Sequence, residues 1–86
     1  MQLSEHLYLF NHIVSNGKKV DDKYSLNELT AWHDLDGYSC FMGYKDVTLS
    51  LYFHGRFSFD YEDSKSLLEF KELSQTLYRQ IKKNDN

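Results

Sequence analysis

The sequence has no proline, a single cysteine, only four glycines and fewer basic than acidic residues. No functional class follows from the missing proline. Cys40 has no partner for an intramolecular disulfide, so a disulfide-stapled secreted scaffold is excluded and a reducing compartment is the natural home. No apolar run approaches the roughly 18 residues of a membrane span. Met1-Gln-Leu-Ser-Glu-His6 lacks the basic n-region of a secretory signal. These absences lead to the expectation of a soluble cytoplasmic protein with no membrane partner. With 10 Lys and Arg against 13 Asp and Glu, the net charge is −3. That balance opposes an affinity built on neutralising phosphates, so no nucleic-acid partner is expected. There is no glycine-rich phosphate loop, no paired-cysteine zinc spacing and no Gly-x-Ser-x-Gly elbow. No cofactor and no metal are expected.

What is present is aromatic. Seven Tyr and six Phe lie among 86 residues, enough for one aromatic-rich core in one small domain, 1–86, and too many for a disordered chain. A chain of this size buries roughly 60–65% of its unfolded surface.

Residues 46–61 carry the clearest pattern. Val47, Leu49, Leu51 and Phe53, then Phe57, Phe59 and Tyr61, are apolar at every second position around His54-Gly55. Such alternation marks a half-buried antiparallel hairpin. Upstream, Asp36-Gly37 separates two strand-like runs, and a type I′ turn there would need positive φ at both central residues. Leu3, Leu7, Phe10 and Val14 fall on one helical face, with Ser4 as a cap and Gly17 as a left-handed stop. Residues 17–25 are charged and without period, and read as a mobile loop. Leu67, Phe70, Leu73, Leu77 and Ile81 form a second helical stripe. It is opened by Ser66 and Glu69 as a capping box, or by Asp63 one turn earlier. Lys82 and Lys83 suit the C-terminal end of its dipole.

The expected fold is α+β: a two-layer sandwich of helix 3–16, strands 29–34, 38–44, 46–53 and 57–61 in an antiparallel meander, and helix 63–83, both helices on one face of the sheet. Parity extends the reading to register. Two-residue loops at Asp36-Gly37 and Lys45-Asp46 pair Leu35 with Tyr38, His33 with Cys40, Trp32 with Phe41 and Tyr44 with Val47. Matching Phe53 with Phe57 and Leu51 with Phe59 requires an odd loop, His54-Gly55-Arg56, because a one-residue slip would turn one strand's apolar set to solvent. His33, Leu35, Tyr38, Phe57 and Tyr61 then lie on the covered face.

The open face would carry Trp32 opposite Phe41, with Tyr52 on the diagonal and within aromatic reach. Each ring can bury roughly 150–250 Å², so the three approach the size of an interaction patch. Cross-strand aromatic pairing that only stabilises the sheet is the plainer alternative.

Other constellations are weaker. Asp34 and Asp36 do not begin a calcium loop, since glycine and the bidentate glutamate fall at the wrong positions; they form a turn. His33 and Cys40 are cross-strand neighbours, a pairing a nucleophile and its base could use, but beneath helices a thiol is an inert hydrophobe. His6 and His12 are six apart and do not share a face as a metal pair would. His54 and Arg56, beside Gly55, are candidates for contacting an anionic ligand.

The segments Leu29-Thr-Ala-Trp-His-Asp-Leu-Asp-Gly-Tyr38 and Val47-Thr-Leu-Ser-Leu-Tyr-Phe-His-Gly-Arg-Phe-Ser-Phe-Asp60 resemble a family of small, single-domain gammaproteobacterial proteins of unknown function. The resemblance implies a stand-alone bacterial cytoplasmic protein and no site residues. The resulting expectation is a non-enzymatic protein-interaction or self-association module anchored by Trp32, Phe41 and Tyr52. The alternatives are a small-ligand binder or enzyme using His33, Cys40 or His54 near a sheet–helix cleft, and nucleic-acid binding by stacking on the sheet, which Asp34, Asp60 and the net charge oppose.

Overall fold

A computed structural model describes residues 1–52 and 54–84. Helix α1 (Leu3–Asn16) leads into six strands, β1 (Lys18–Val20), β2 (Lys23–Leu26), β3 (Leu29–His33), β4 (Ser39–Tyr44), β5 (Val47–Tyr52) and β6 (Phe57–Asp60), and helix α2 (Ser64–Asn84) follows. The strands form one antiparallel sheet in chain order.

The sheet has six strands where four were expected. The charged stretch 17–25, read above as a loop, contains β1 and most of β2. Its residues are largely exposed, so β1 shows no alternation and β2 only the two positions Tyr24 and Leu26, which pack against the core. Asp21 closes this hairpin with φ 57°. Asn27 and Glu28 close the next one, both with positive φ, between the paired Leu26 and Leu29. The turn with two left-handed residues, the requirement of type I′, is therefore here and not at Asp36-Gly37.

From Leu35 to Tyr38 the chain makes a four-residue loop. Asp34 N–H donates to Ser39 O at 3.2 Å, Gly37 N–H to Asp34 O at 3.1 Å and Tyr38 N–H to Asp36 Oδ1 at 3.1 Å. Both aspartates serve the turn, as their spacing suggested. The register His33–Cys40, Trp32–Phe41 and Ala31–Met42 stands. Leu35 and Tyr38, expected on the covered face, are instead exposed at the loop tip. Tyr44 pairs with Val47 as expected.

At the last hairpin the loop parity is odd, but the register lies one pair away from the expected one. Phe57 pairs with Leu51 and Phe59 with Leu49, and Tyr52 N–H donates to Arg56 O at 2.8 Å. Phe53, the expected partner of Phe57, lies outside the described residues. The shift by two preserves which face each side chain occupies and moves Phe57 and Tyr61 to exposed positions at the rim.

The core joins Leu9, Phe10 and Ile13 of α1 and Phe70, Leu77 and Ile81 of α2 to Leu29, Ala31, Met42, Val47, Leu49 and Leu51 of the strands. On α1 the buried stripe is His6, Leu9, Phe10 and Ile13, whereas Leu7 is exposed. That helix is apolar on more than one side, and the stripe chosen by tertiary packing is rotated and includes a histidine. Its start is held by Gln2 N–H on Glu5 Oε1 at 2.7 Å, not by Ser4.

Gly17 ends the helix for want of space rather than for φ. Its backbone is extended at φ −76°, and a Cβ there would lie 2.5 Å from Ile13 O and 2.8 Å from Ser25 O. The start of α2 is tied to the β4–β5 turn. Asp46 Oδ2 accepts the N–H groups of Glu62 and Asp63, each at 2.8 Å. The Ser66 hydroxyl and these two amides hold the Asp46 carboxyl down to about 2. Asp63 precedes the first helical residue and accepts Lys65 N–H at 2.9 Å, as an N-cap does.

Candidate functional site

Strand alternation turns Trp32, Phe41, Ser50 and Tyr52 away from the core. Trp32 and Phe41 are directly paired on β3 and β4, and their rings stack with centroids 5.5 Å apart and planes 19° from parallel. Gly43 makes this arrangement possible. A Cβ there would stand 2.7 Å from Thr30 Oγ1 and 3.1 Å from the Trp32 ring, so the indole lies across the bare backbone of β4. A glycine inside a strand often marks such close approach.

Lys23, on the neighbouring strand β2, places its Nζ 4.2 Å from the Trp32 ring centroid, a cation–π contact. Ser50, opposite Phe41, is buried although it faces outward. The indole is therefore held on both sides, by Phe41 and by Lys23.

Tyr52 occupies the same face one pair further along, opposite Ser39. Its ring stacks on His54 at 5.6 Å with planes 4° apart. The structure thus brings Trp32 and Phe41 together and places Tyr52 with His54 at the next turn. Arg56 shares that turn, and both His54 and Arg56 are exposed.

Apolar side chains rim the face where the β1–β2 turn and the β3–β4 loop meet. Leu35 is fully exposed, Val20 is 56% exposed and Tyr38 is 64% exposed. An open groove of about 780 Å³ runs between the two turns, bordered by Trp32 and Leu35 and by Lys23, Asp34 and Asp36. Lys23, Gly43 and Leu35 escaped the sequence reading. Gly43 carried a legible signal, a glycine within an alternating run; Lys23 did not, because its strand looked like loop.

The chemical candidates are dispersed. His33 and Cys40 pair in register, but His33 is exposed and its Nδ1 lies 3.0 Å from Asp34 O. Cys40 is half-buried; burial and then the Asp34 charge push its thiol pKa up, the opposite of what a nucleophile needs. His12 is engaged by Asn16, whose Nδ2 lies 3.3 Å from its Nδ1. Among the described residues no cluster of His, Cys, Asp or Glu could hold a metal ion, and no helix is long and apolar enough to cross a membrane.

The fold and this face together define a small α+β protein built on an antiparallel meander with an aromatic outer surface. The chain belongs to the family described as Protein of unknown function (DUF3081), whose model matches residues 1–84. No match was found among curated proteins or solved structures.

Proposed function

We propose that both helices cover one face of the sheet, and that the other face is the contact surface of a non-enzymatic protein-interaction module. The reading rests on the Trp32–Phe41 stack, whose indole edge lies against Gly43 and which Lys23 braces. Large rigid rings held in one orientation lose little entropy on binding, which is why Trp and Tyr recur among interface hot spots. Leu35, Val20 and Tyr38, and Tyr52 with His54, extend the surface along the end of the sheet where the β1–β2, β3–β4 and β5–β6 turns lie. The occupant is a protein, either a second copy of this chain or another chain.

Light scattering across a concentration series tests self-association. Wild type should gain mass with concentration, and Trp32→Ser should remain monomeric. Leu35→Asp, at a position with no packing to lose, should weaken association without affecting folding. If wild type stays monomeric, pull-downs from a lysate with wild type and Leu35→Asp decide the remainder. A partner retained by the first and lost by the second supports the module, and no such partner removes it.

A further inference from the structure

Two buried polar atoms have no hydrogen-bond partner among the described residues, His6 Nδ1 and Ser74 Oγ. They belong to different helices, yet both side chains line one cavity of about 340 Å³, together with Phe57, Phe59, Lys71 and Gln75. His6 is 4% exposed and Ser74 fully buried. Orphaned buried polar groups are uncommon because each costs the desolvation it cannot recover. Two in the same cavity indicate something that satisfies both.

The remaining walls limit what that can be. Phe57 and Phe59 meet edge to face at 6.1 Å, and His6 lies 5.1 Å from Phe57 and 6.2 Å from Phe59, between rings rather than in a polar nest. Lys71 places its Nζ 5.1 Å from the Phe59 ring centroid. It is the only charged side chain in the lining among the described residues; Met1, whose ammonium acts on His6, also lines the cavity, and no carboxylate side chain does. The Lys71 ammonium, the Ser74 hydroxyl, the Gln75 amide and a neutral imidazole N–H can all donate. Aromatic walls with several convergent donors and positive charge form the general pattern of a small-ligand site, and the volume is near the low end of the usual range of roughly 300–1,000 Å³.

We propose that this cavity, on the opposite side of the sheet from the aromatic stack, binds a small organic anion: a compact aromatic or aliphatic body carrying one carboxylate. The body lies against Phe57 and Phe59, and the carboxylate takes up the donors of Ser74, His6 and Lys71. A water molecule could satisfy the two orphaned atoms, but it would leave the aromatic walls and the lysine without a role. The site does not depend on the sheet surface proposed above.

Amide chemical-shift titrations of the full chain with phenylacetate, phenylacetamide and phenethylamine test this. Phenylacetate should give saturable shifts concentrated at His6, Phe57, Phe59 and Ser74. Phenylacetamide should bind roughly tenfold more weakly, because charge-assisted hydrogen bonds are the stronger ones, and phenethylamine should not bind. Lys71→Gln, an exposed change that folding tolerates, should narrow the difference between acid and amide. Ser74→Ala should raise the melting temperature by removing an orphaned hydroxyl, and should weaken phenylacetate. Trp32→Ser should leave phenylacetate binding unchanged, which separates this site from the sheet face. Absence of saturable shifts, equal binding of acid and amide, or a Ser74→Ala variant with unaltered phenylacetate affinity would each overturn the proposal.

Discussion

Two aromatic clusters, built from similar parts on opposite faces of the same sheet, behave differently. On the outer face Trp32 stacks on Phe41 and Lys23 lies over the indole. On the helix-packed side Phe57 and Phe59 meet edge to face, Phe59 contacts Phe70 at 6.0 Å, and Lys71 lies over Phe59. Each has rings and a lysine. The outer rings stack nearly parallel to each other, with the edge of the indole against the bare backbone of Gly43. The inner rings are tilted and, with His6 of α1 and Lys71, Ser74 and Gln75 of α2, line a cavity whose histidine and serine each have a buried polar atom without a partner among the described residues. Ring orientation and the side chains that α1 and α2 bring to the inner cluster separate the proposed docking surface from the proposed pocket.

The comparison predicts its own asymmetry in stability. Phe70→Ala removes a fully buried ring that supports Phe59 and should cost about 3–5 kcal/mol in chemical denaturation. A loss no greater than that of an outer-face substitution would show that the inner cluster does not hold the fold.

The second expectation is a pH dependence from the inner cluster alone. Burial, with the Met1 ammonium adding to it and Glu5 opposing it, lowers His6 from 6.5 to about 4; Lys71 is the other cation lining its cavity. As pH falls, an unfolded histidine takes up its proton first. Stability is therefore complete above about 6.5 and is lost between 6.5 and about 4, by roughly 3 kcal/mol at most. Denaturation midpoints measured across that window should fall for wild type and stay level for His6→Leu. A level wild-type profile would place the imidazole in water.

On the outer face, Gly43→Ala forces a methyl against Thr30 and the indole. It should cost about 1–3 kcal/mol by overpacking and shift the fluorescence of the single tryptophan. An unchanged spectrum would mean that the ring does not lie over β4.

The smallest effect concerns the join between the sheet and the wall of the pocket. Asp46 anchors the α2 start and has its carboxyl held near 2, so its contribution is present above about 3.8 and lost as pH falls towards 2. Asp46→Ala should lower the melting temperature at neutral pH and remove this last acid step, which lies below the His6 window.

The sheet face was legible because period two survives an error in register. The last hairpin lies one pair away from its expected pairing, yet Tyr52 and Ser58 remain outward and Leu49, Leu51 and Phe59 remain inward. The inner pocket was not legible. His6 and Ser74 are 68 positions apart, and the expected stripe of α1, Leu3, Leu7, Phe10 and Val14, does not include His6.

Sequence by itself was sufficient for the α+β class, the presence of both helices, the central register and the Trp32–Phe41 pair, because each depends on local periodicity. Only tertiary structure decided that a charged stretch would add two strands. It also decided which stripe of α1 would be buried, and that a histidine and a serine would meet in one cavity. Strand addition is settled by the edge a neighbour offers, and burial by what packs opposite. Neither is written in the spacing of a single segment.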